Sequence, residues 1–471
     1  SMKKGDTLHV EIDSLAFGGR GLARFEGFVI FVDNAIPGQH VEVRITRKRK
    51  GYAEARKLTI VKESPHVVSS SCRHFGECGG CRLQNLAYEK QLECKRQQVY
   101  DSLLHIGGLH PPRVLPTLAS PALFYYRNKM EYSFGRARWV TDAEICKDEI
   151  SKPKNFALGL HVRGRFDKIL DLDTCYLQSE QSVEILNHVK EAALKSGVPA
   201  YSTRDHTGFW RHLVIREGKN TGDCMVNIVT ADDASAFHYV KTLAGSLAKT
   251  FDVTTVVHNI NRKKADVAVG DQERVLFGPG FIREKIGERQ FQISAHSFFQ
   301  TNTKTAEILY DKIIELADFR GDEIVFDLYS GAGSISLCIA DKVKTVVGFE
   351  IGEVAIRDAR TNSRLNRVEN CTFVTGDLKE TLAQNSGVGA KFGRPDTVVV
   401  DPPRAGMHPD VLAQLLHLSP EKIVYVSCNP ATFARDAQEI CKSDYELIAV
   451  QPVDMFPHTG HIEIVSLFSK K

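Results

Sequence analysis

No stretch of about eighteen consecutive apolar residues occurs anywhere in the 471-residue chain, which leaves no candidate for a membrane-spanning helix. Residues 1–5 are polar and lysine-bearing and do not read as a secretory signal. Ser1 ahead of Met2 reads as an expression scar before the natural start, and a cytoplasmic protein with no membrane partner is expected. Internal repeats and low-complexity tracts are also missing, which excludes solenoids and fibrous arrays. Net charge is nearly absent: 61 basic against 58 acidic side chains leave +3, so the average composition does not announce a nucleic-acid binder. What is present, 42% hydrophobic, 25% charged and 8% aromatic residues, is ordinary for a globular protein and excludes intrinsic disorder. The length exceeds what one hydrophobic core can organise and predicts two to four domains, with a monomer as the default state.

Eleven cysteines without an export signal point to a reducing compartment, where thiols serve metals or catalysis more often than disulfides. Three are spaced Cys72-x5-Cys78-x2-Cys81 in a glycine-bearing segment able to wrap around a metal. A four-ligand site needs one more donor, either Cys94, inside a predicted helix, or Cys175, in the loop-like Leu172-Asp173-Thr174-Cys175. Charge is concentrated locally. Arg44, Arg47, Lys48, Arg49 and Lys50 form a dense run extended by Arg56 and Lys57, which reads either as a solvated face or as an RNA contact.

Alternating runs at 8–12, 27–32 and 41–45, punctuated by Gly18, Gly19, Gly21 and Pro37-Gly38, predict a small OB-like β-barrel over residues 1–63. Such barrels present one face and its loops to nucleic acid, and the basic run falls where a loop before the last strand is expected. Residues 64–284 read as a mixed α/β domain. It contains the cysteine segment, a helix over 86–104 able to pack on the catalytic domain, a helix near 183–193, and strands at 213–216 and 225–230. Over residues 285–471, helices at 306–317 and 334–340 alternate with near-continuous apolar strands at 323–329, 345–350, 397–401 and 423–427. That is the pattern of a doubly wound parallel sheet, so the fold class is α/β.

The strand over 323–329 runs into Ser330-Gly331-Ala332-Gly333 and a helix, where glycines let the backbone turn and approach a ligand at a helix N-terminus. Glu350, 23 positions after Asp327, ends the next strand, where a carboxylate can accept from both ribose hydroxyls. Ser336 occupies the place of the third glycine of a dinucleotide fingerprint, which favours S-adenosylmethionine over NAD. Asp377 and Asp401 mark later strand ends, so Gly331, Gly333, Glu350, Asp377 and Asp401 are the cofactor-site candidates.

Cys428, in Ser427-Cys428-Asn429-Pro430, is a candidate nucleophile beside that site, exposed by a turn at Pro430, and Glu463 is a candidate base. A methyl donor beside a thiol and a base answers one chemical problem: methylating a ring carbon that is not itself nucleophilic, such as carbon 5 of uracil. Thiolate addition to carbon 6 creates an enolate that attacks the methyl sulfonium, after which the base removes the carbon 5 proton. Asp401 would hydrogen-bond the ring. Stacked uracil must first be flipped out. Phe298 is the aromatic expected to fill the gap, with Arg127 and Lys129 of Tyr126-Arg127-Asn128-Lys129 as donors to RNA.

Together these segments resemble one family. Gly79-Gly80-Cys81, Ser297-Phe298-Phe299-Gln300-Thr301-Asn302, the 327–333 segment, Asp401-Pro402-Pro403-Arg404-Ala405-Gly406, Ser427-Cys428-Asn429-Pro430 and residues 458–463 are similar, in order, to the RNA uracil-5-methyltransferases. The resemblance implies a TRAM domain at the N-terminus and a Rossmann-like methyltransferase at the C-terminus. It implies Gln300, Tyr329, Glu350 and Asp401 as S-adenosylmethionine contacts, Cys428 as nucleophile and Glu463 as base; Ser334 stands where related sequences often carry asparagine. The ribosomal-RNA branch holds a four-iron, four-sulfur (4Fe-4S) cluster with this cysteine spacing and a distant fourth cysteine matching Cys175. A structural, RNA-positioning cluster is therefore implied ahead of zinc, and 23S ribosomal RNA ahead of transfer RNA. Two rivals stand beside this reading: an amino-group methyltransferase, which needs no thiol, and a non-catalytic iron–sulfur RNA-binding protein, which needs no methyl donor.

Overall fold

The computed structural model describes residues 2–110 and 112–471, so Ser1 lies outside the described residues. Side chains alternate inward and outward along Thr7–Glu11, Gly21–Phe25, Phe28–Asp33, His40–Lys48 and Tyr52–Lys62. Val10, Ala23, Ile30, Val32, Val41, Val43 and Ile45 gather into a separate core, and the short strand Ser14–Leu15 completes a six-stranded sheet. The basic run is not the loop expected from the sequence. Arg44, Arg47 and Lys48 lie on the strand His40–Lys48, because its inward Val41, Val43 and Ile45 extend the ladder with Tyr52–Lys62; Arg49 and Lys50 reach the turn.

After the irregular cysteine segment, helix Tyr88–His105 buries Gln91, Cys94, Lys95, Val99 and Leu103. Val99 and Leu103 pack with Phe433, Ala434 and Ala437 of the C-terminal unit, and Lys95 Nζ lies 2.6 Å from Asp454 with both side chains buried. The Tyr88 hydroxyl donates to the same carboxylate at 2.8 Å.

The middle of the chain forms a seven-stranded sheet of Lys129–Gly135, Ala157–His161, Ile169–Asp171, Trp210–Glu217, Cys224–Thr230, Thr255–Ile260 and Gln272–Phe277, covered by helices Glu180–Ser196 and Phe237–Thr250. The hairpin of Phe281–Ile286 and Arg289–Ser294 follows. Its Ile282, Ile286, Phe291 and Ile293 pack with Leu309, Ile313 and Leu337, so the division expected between 284 and 285 falls inside a strand that belongs with the C-terminal core.

Five apolar strands of the C-terminal unit pair in parallel: Ile324–Leu328, Thr345–Glu350, Cys371–Thr375, Thr397–Val400 and Lys422–Ser427. Two more, Tyr445–Val453 and Glu463–Lys470, add antiparallel, so that in chain order the strands lie third, second, first, fourth, fifth, seventh, sixth. The sheet is thus parallel over five strands, not throughout. The connection after Val453 is a loop with no crossover helix, and so short a return can only be antiparallel. Among the described residues no helix is long and apolar enough to cross a membrane.

The Lys95–Asp454 pair gives a stability prediction. Lys95→Met strands a buried carboxylate and is expected to cost about 3–5 kcal/mol in urea unfolding, while Lys95→Met combined with Asp454→Leu recovers most of that loss.

Candidate active site

Strand Ile324–Leu328 lies between Thr345–Glu350 and Thr397–Val400, the point where strand order reverses and a crevice opens at the carboxyl ends. The chain leaves this strand through Tyr329 at φ 63° and turns at Gly331 and Gly333, φ 56° and 82°, into helix Ser334–Ile339. Gly333 is required twice over, since a Cβ there would also stand 2.9 Å from the Phe373 ring. Glu350 fastens the turn: Oε2 accepts the Gly331 N–H at 3.0 Å and Oε1 the Gly352 N–H at 2.8 Å. Each oxygen keeps lone-pair capacity for a further donor. Beside it a hollow of about 220 Å³ is lined by Tyr329, Glu350, Ile351, Asp377, Leu378 and Pro403. Asp377 caps the helix Leu378–Thr381 through Lys379 N–H at 2.9 Å. Ser334 opens its helix beside Tyr310. Gln300, whose carbonyl accepts from Asn128 at 2.7 Å, is not part of the lining of this hollow.

Strand register sets the thiol and the carboxyl side by side. Ser427 pairs with Ile464, so Cys428, just past the end of its strand, and Glu463, at the start of its own, follow that pair and lie within electrostatic reach of each other. Burial, then Glu463 and Asp401, push the Cys428 thiol above its ordinary value, and Arg404 pulls it back. Burial and Asp401 push Glu463 well above the carboxylate range, again opposed by Arg404. Burial and the neighbouring Asp327 push Asp401 up to about 7. Burial followed by Glu350 does the same to Asp327, also about 7, although Ser336 donates to its Oδ2 at 2.5 Å. Pro430 does not form an exposing turn; it is the first residue of helix Pro430–Lys442. Asn429 caps that helix and also donates to the Arg404 carbonyl at 3.0 Å, tying the thiol's strand end to the Asp401 segment. Arg404 stood in the quoted motif, but no spacing rule revealed that it faces both the thiol and Glu463.

The sequence model of the tRNA (Uracil-5-)-methyltransferase family matches residues 246–471, and that of the TRAM domain matches residues 2–58. An uncharacterized RNA methyltransferase of Chlorobaculum tepidum is 41% identical over 476 residues, covering 99% of this chain and 97% of its own. The chain belongs to the RNA uracil-5-methyltransferase family. A second uncharacterized RNA methyltransferase, from Nitratidesulfovibrio vulgaris, is 40% identical over 468 residues, covering 99% of this chain and 97% of its own. Among solved structures, the Pyrococcus abyssi tRNA (uracil-54, C5)-methyltransferase in complex with S-adenosyl-L-homocysteine is similar, with a TM-score of 0.74 and 32% identity over 98% of this chain and 100% of that one.

All eleven cysteines of the methyltransferase are free. Cys78, Cys81 and Cys175 are buried and Cys72 is partly so. Burial raises their thiols, and Cys78 also feels Cys72, Cys81 and Cys175. Cys94 lies elsewhere, packed with Leu15, Ile36, Leu83 and Leu86. Among the described residues no three His, Cys, Asp or Glu side chains converge tightly enough to hold a single ion. The four thiols nevertheless lie within one another's electrostatic reach, with a buried donor beside them, Arg127 Nε, that has no partner among the described residues, and the Tyr132 hydroxyl against Cys175. Arg127 and Arg163 add positive charge. Thiols, an unused donor and cations in this arrangement are the donor set and charge that an anionic metal–sulfur group would require.

Arg127 and Lys129 line a cleft of about 710 Å³ together with Arg82, Arg163, Arg165 and His461. Arg82, Arg163 and Arg165 carried no sequence signal, because they converge from separate segments, and His461 stood in the quoted 458–463 segment without a role. Tyr126 and Asn128 are spent on the fold. Tyr126 is buried and donates to the Pro457 carbonyl at 2.9 Å, and the Asn128 amide donates to the Gln300 carbonyl at 2.7 Å and to the Thr303 hydroxyl at 2.9 Å. Phe298 is 70% exposed, whereas Phe299 is buried against Phe291. The buried Arg216 anchors this segment by donating to the carbonyls of Ala295 and Ser297 at 3.3 and 2.5 Å. Arg47, Lys48, Arg49 and Lys50 are all exposed, and none lines the cleft.

The raised carboxyl of Asp401 predicts a pH dependence. Its folded value of about 7 stands above the unfolded value of about 3.9, so the folded state binds the proton more tightly and stability falls as pH rises through that window. Asp401→Asn should therefore gain stability relative to the unsubstituted protein at about pH 8 and lose that advantage at about pH 4, read by denaturant unfolding at both.

Proposed function

We propose that this chain methylates carbon 5 of a uridine in RNA, with S-adenosylmethionine as donor, through a transient bond between Cys428 and carbon 6 of the base. The observation that carries the reading is that the chain just past the Ser427–Ile464 pair sets Cys428 near Glu463, both within the field of Asp401. Gln300, Tyr329, Gly331, Gly333, Ser334, Glu350, Asp377 and Asp401 would hold S-adenosylmethionine, with Glu350 on the ribose. When bound, the donor supplies a methyl group on a sulfonium whose positive charge favours the thiolate and carboxylate forms beside it.

Cys428 Sγ forms a bond to carbon 6, and the electron pair of the double bond moves onto carbon 5 and oxygen 4. Asp401, which holds its proton into the neutral range, can donate to that oxygen as charge develops. Carbon 5 then takes the methyl group, and the methyl–sulfur bond breaks to leave S-adenosylhomocysteine. Glu463, once ionised, is a strong acceptor for the carbon 5 proton because burial raises its proton affinity. The double bond re-forms and expels the Cys428 thiolate. Phe298, Arg127, Lys129 and the strand end bearing Arg47, Lys48, Arg49 and Lys50 would contact the RNA.

The four thiols support a 4Fe-4S cluster held by Cys72, Cys78, Cys81 and Cys175. Its work would be structural, since methyl transfer from a sulfonium moves no single electron. That motif favours 23S ribosomal RNA as substrate. A second reading, transfer RNA, is favoured by the similarity to the Pyrococcus abyssi tRNA (uracil-54, C5)-methyltransferase.

Incubation with 5-fluorouridine-bearing 23S and transfer RNA should trap a covalent protein–RNA adduct with the true substrate, and none with Cys428→Ala. Glu463→Gln should accumulate the adduct on ordinary RNA and reduce turnover at least about 100-fold, as expected for loss of a general base. If Cys428→Ala methylates uridine normally, the covalent route is wrong. For the cluster, protein purified without oxygen should contain iron and sulfide; Cys175→Ala should lose both and melt earlier, whereas Cys94→Ala should retain them.

A further inference from the structure

Phe166 is 90% exposed, the largest exposure of any large apolar side chain among the described residues. An apolar ring is favoured inside a fold, so a position this far outside is open to a functional reading. It stands on Val162-Arg163-Gly164-Arg165-Phe166-Asp167-Lys168, the tip joining strands Ala157–His161 and Ile169–Asp171. The tip is held in place. Gly164 turns at φ 74°, the Val162 N–H donates to the Lys168 carbonyl at 3.1 Å, and the Arg163 N–H donates to the Glu77 carbonyl at 2.9 Å.

The ring borders two hollows at once. One is the 710 Å³ cleft, whose far side reaches Thr301 and His461 next to the catalytic segment. The other, of about 530 Å³, carries Arg136, Lys168 and Arg204 alongside Asp167, Asp205 and Asp266. Two of those carboxylates are already engaged, Asp167 with Arg165 at 3.3 Å and Asp266 with His212 at 3.1 Å. The second hollow is balanced in charge, whereas the 710 Å³ cleft is basic, and an exposed aromatic ring at the edge of a basic cleft is the arrangement that binds single-stranded nucleic acid: cations follow the phosphates while the ring takes a base face.

We infer that Phe166 is a second base platform, on which an unpaired base of the substrate RNA other than the target uracil stacks, with the exposed Arg165 of the same tip exchanging its Asp167 partner for a flanking phosphate. The inference rests on RNA as the substrate and does not depend on the covalent step at Cys428.

The test titrates the full-length protein with a fluorescein-labelled single-stranded oligouridylate and reads anisotropy over a series of salt concentrations. Phe166→Ala should weaken binding about 5- to 100-fold, the range of one base–aromatic stack, without changing the salt slope, because no phosphate contact is removed. Phe166→Trp should retain affinity, and its added indole emission should be quenched by the oligonucleotide. Affinity of S-adenosylhomocysteine for Phe166→Ala, measured by calorimetry, should equal that of the unsubstituted protein and so certify the fold. Undiminished RNA affinity in Phe166→Ala, or an unquenched indole in Phe166→Trp, would overturn the inference. Failure of the uracil reading would instead show as absence of a 5-fluorouridine adduct with the unsubstituted protein, whatever happens at Phe166.

Discussion

The segment between the two antiparallel edge strands, residues 454–462, is fixed by a buried ion pair, and the placement of Glu463 depends on it. Lys95 reaches Asp454 at 2.6 Å from a helix far away in sequence. The same segment collects one contact from each other part of the chain. Gln91 accepts the His458 N–H at 2.9 Å, the N–H groups of Arg82 and Leu83 donate to the His458 carbonyl at 2.8 and 2.9 Å, and Asn302 donates to the Met455 carbonyl at 3.0 Å. A Cβ on Gly460 would lie 2.2 Å from the backbone of Gly18, so the N-terminal sheet rests directly on this loop and leaves room only for glycine. A short loop with no secondary structure keeps its shape here through satisfied backbone groups, not through regular hydrogen bonding.

That immobility has an electrostatic purpose. Asp327, Asp401 and Glu463 are all held above the ordinary carboxylate range by burial and by one another, an arrangement that lowers stability at neutral pH. Only a well-anchored frame keeps such groups from relaxing toward water. Backbone strain sits in the same places: Tyr329 and His458, at φ 63° and 66°, flank the two halves of the site in a region that side chains rarely adopt.

Much of this was legible in the sequence because it is local. The turn at Gly331 and Gly333, the strand-end carboxylates and the parallel strands all follow from near-continuous apolar runs and short spacings, and they stand where those patterns put them. What was illegible is non-local. The approach of Glu463 to Cys428 depends on an antiparallel return that no motif encodes. The role of Asn128 is visible only once residues 128 and 300–303 are brought together. The basic run looked like a loop because charge dominates its composition, yet inward Val41, Val43 and Ile45 carried the strand through it.

The cysteine segment marks the limit of hydrophobic patterning as a guide. From residue 64 to helix Tyr88–His105 it has no regular element, and its apolar anchors are few, chiefly Leu83 and Leu86 packed on Leu15, Ile36 and Cys94. Yet it supplies the backbone donors that hold His458 and, through Cys78 opposite Val162, the base of the hairpin that carries Phe166. A segment with so little buried apolar area cannot offset the entropy of being ordered by packing alone. Four thiols from residues 72–81 and 175 lie near one another there, and His74 on Asp173 at 2.9 Å braces the junction. Polar and backbone contacts, rather than buried apolar area, tie this irregular stretch to the strands on either side.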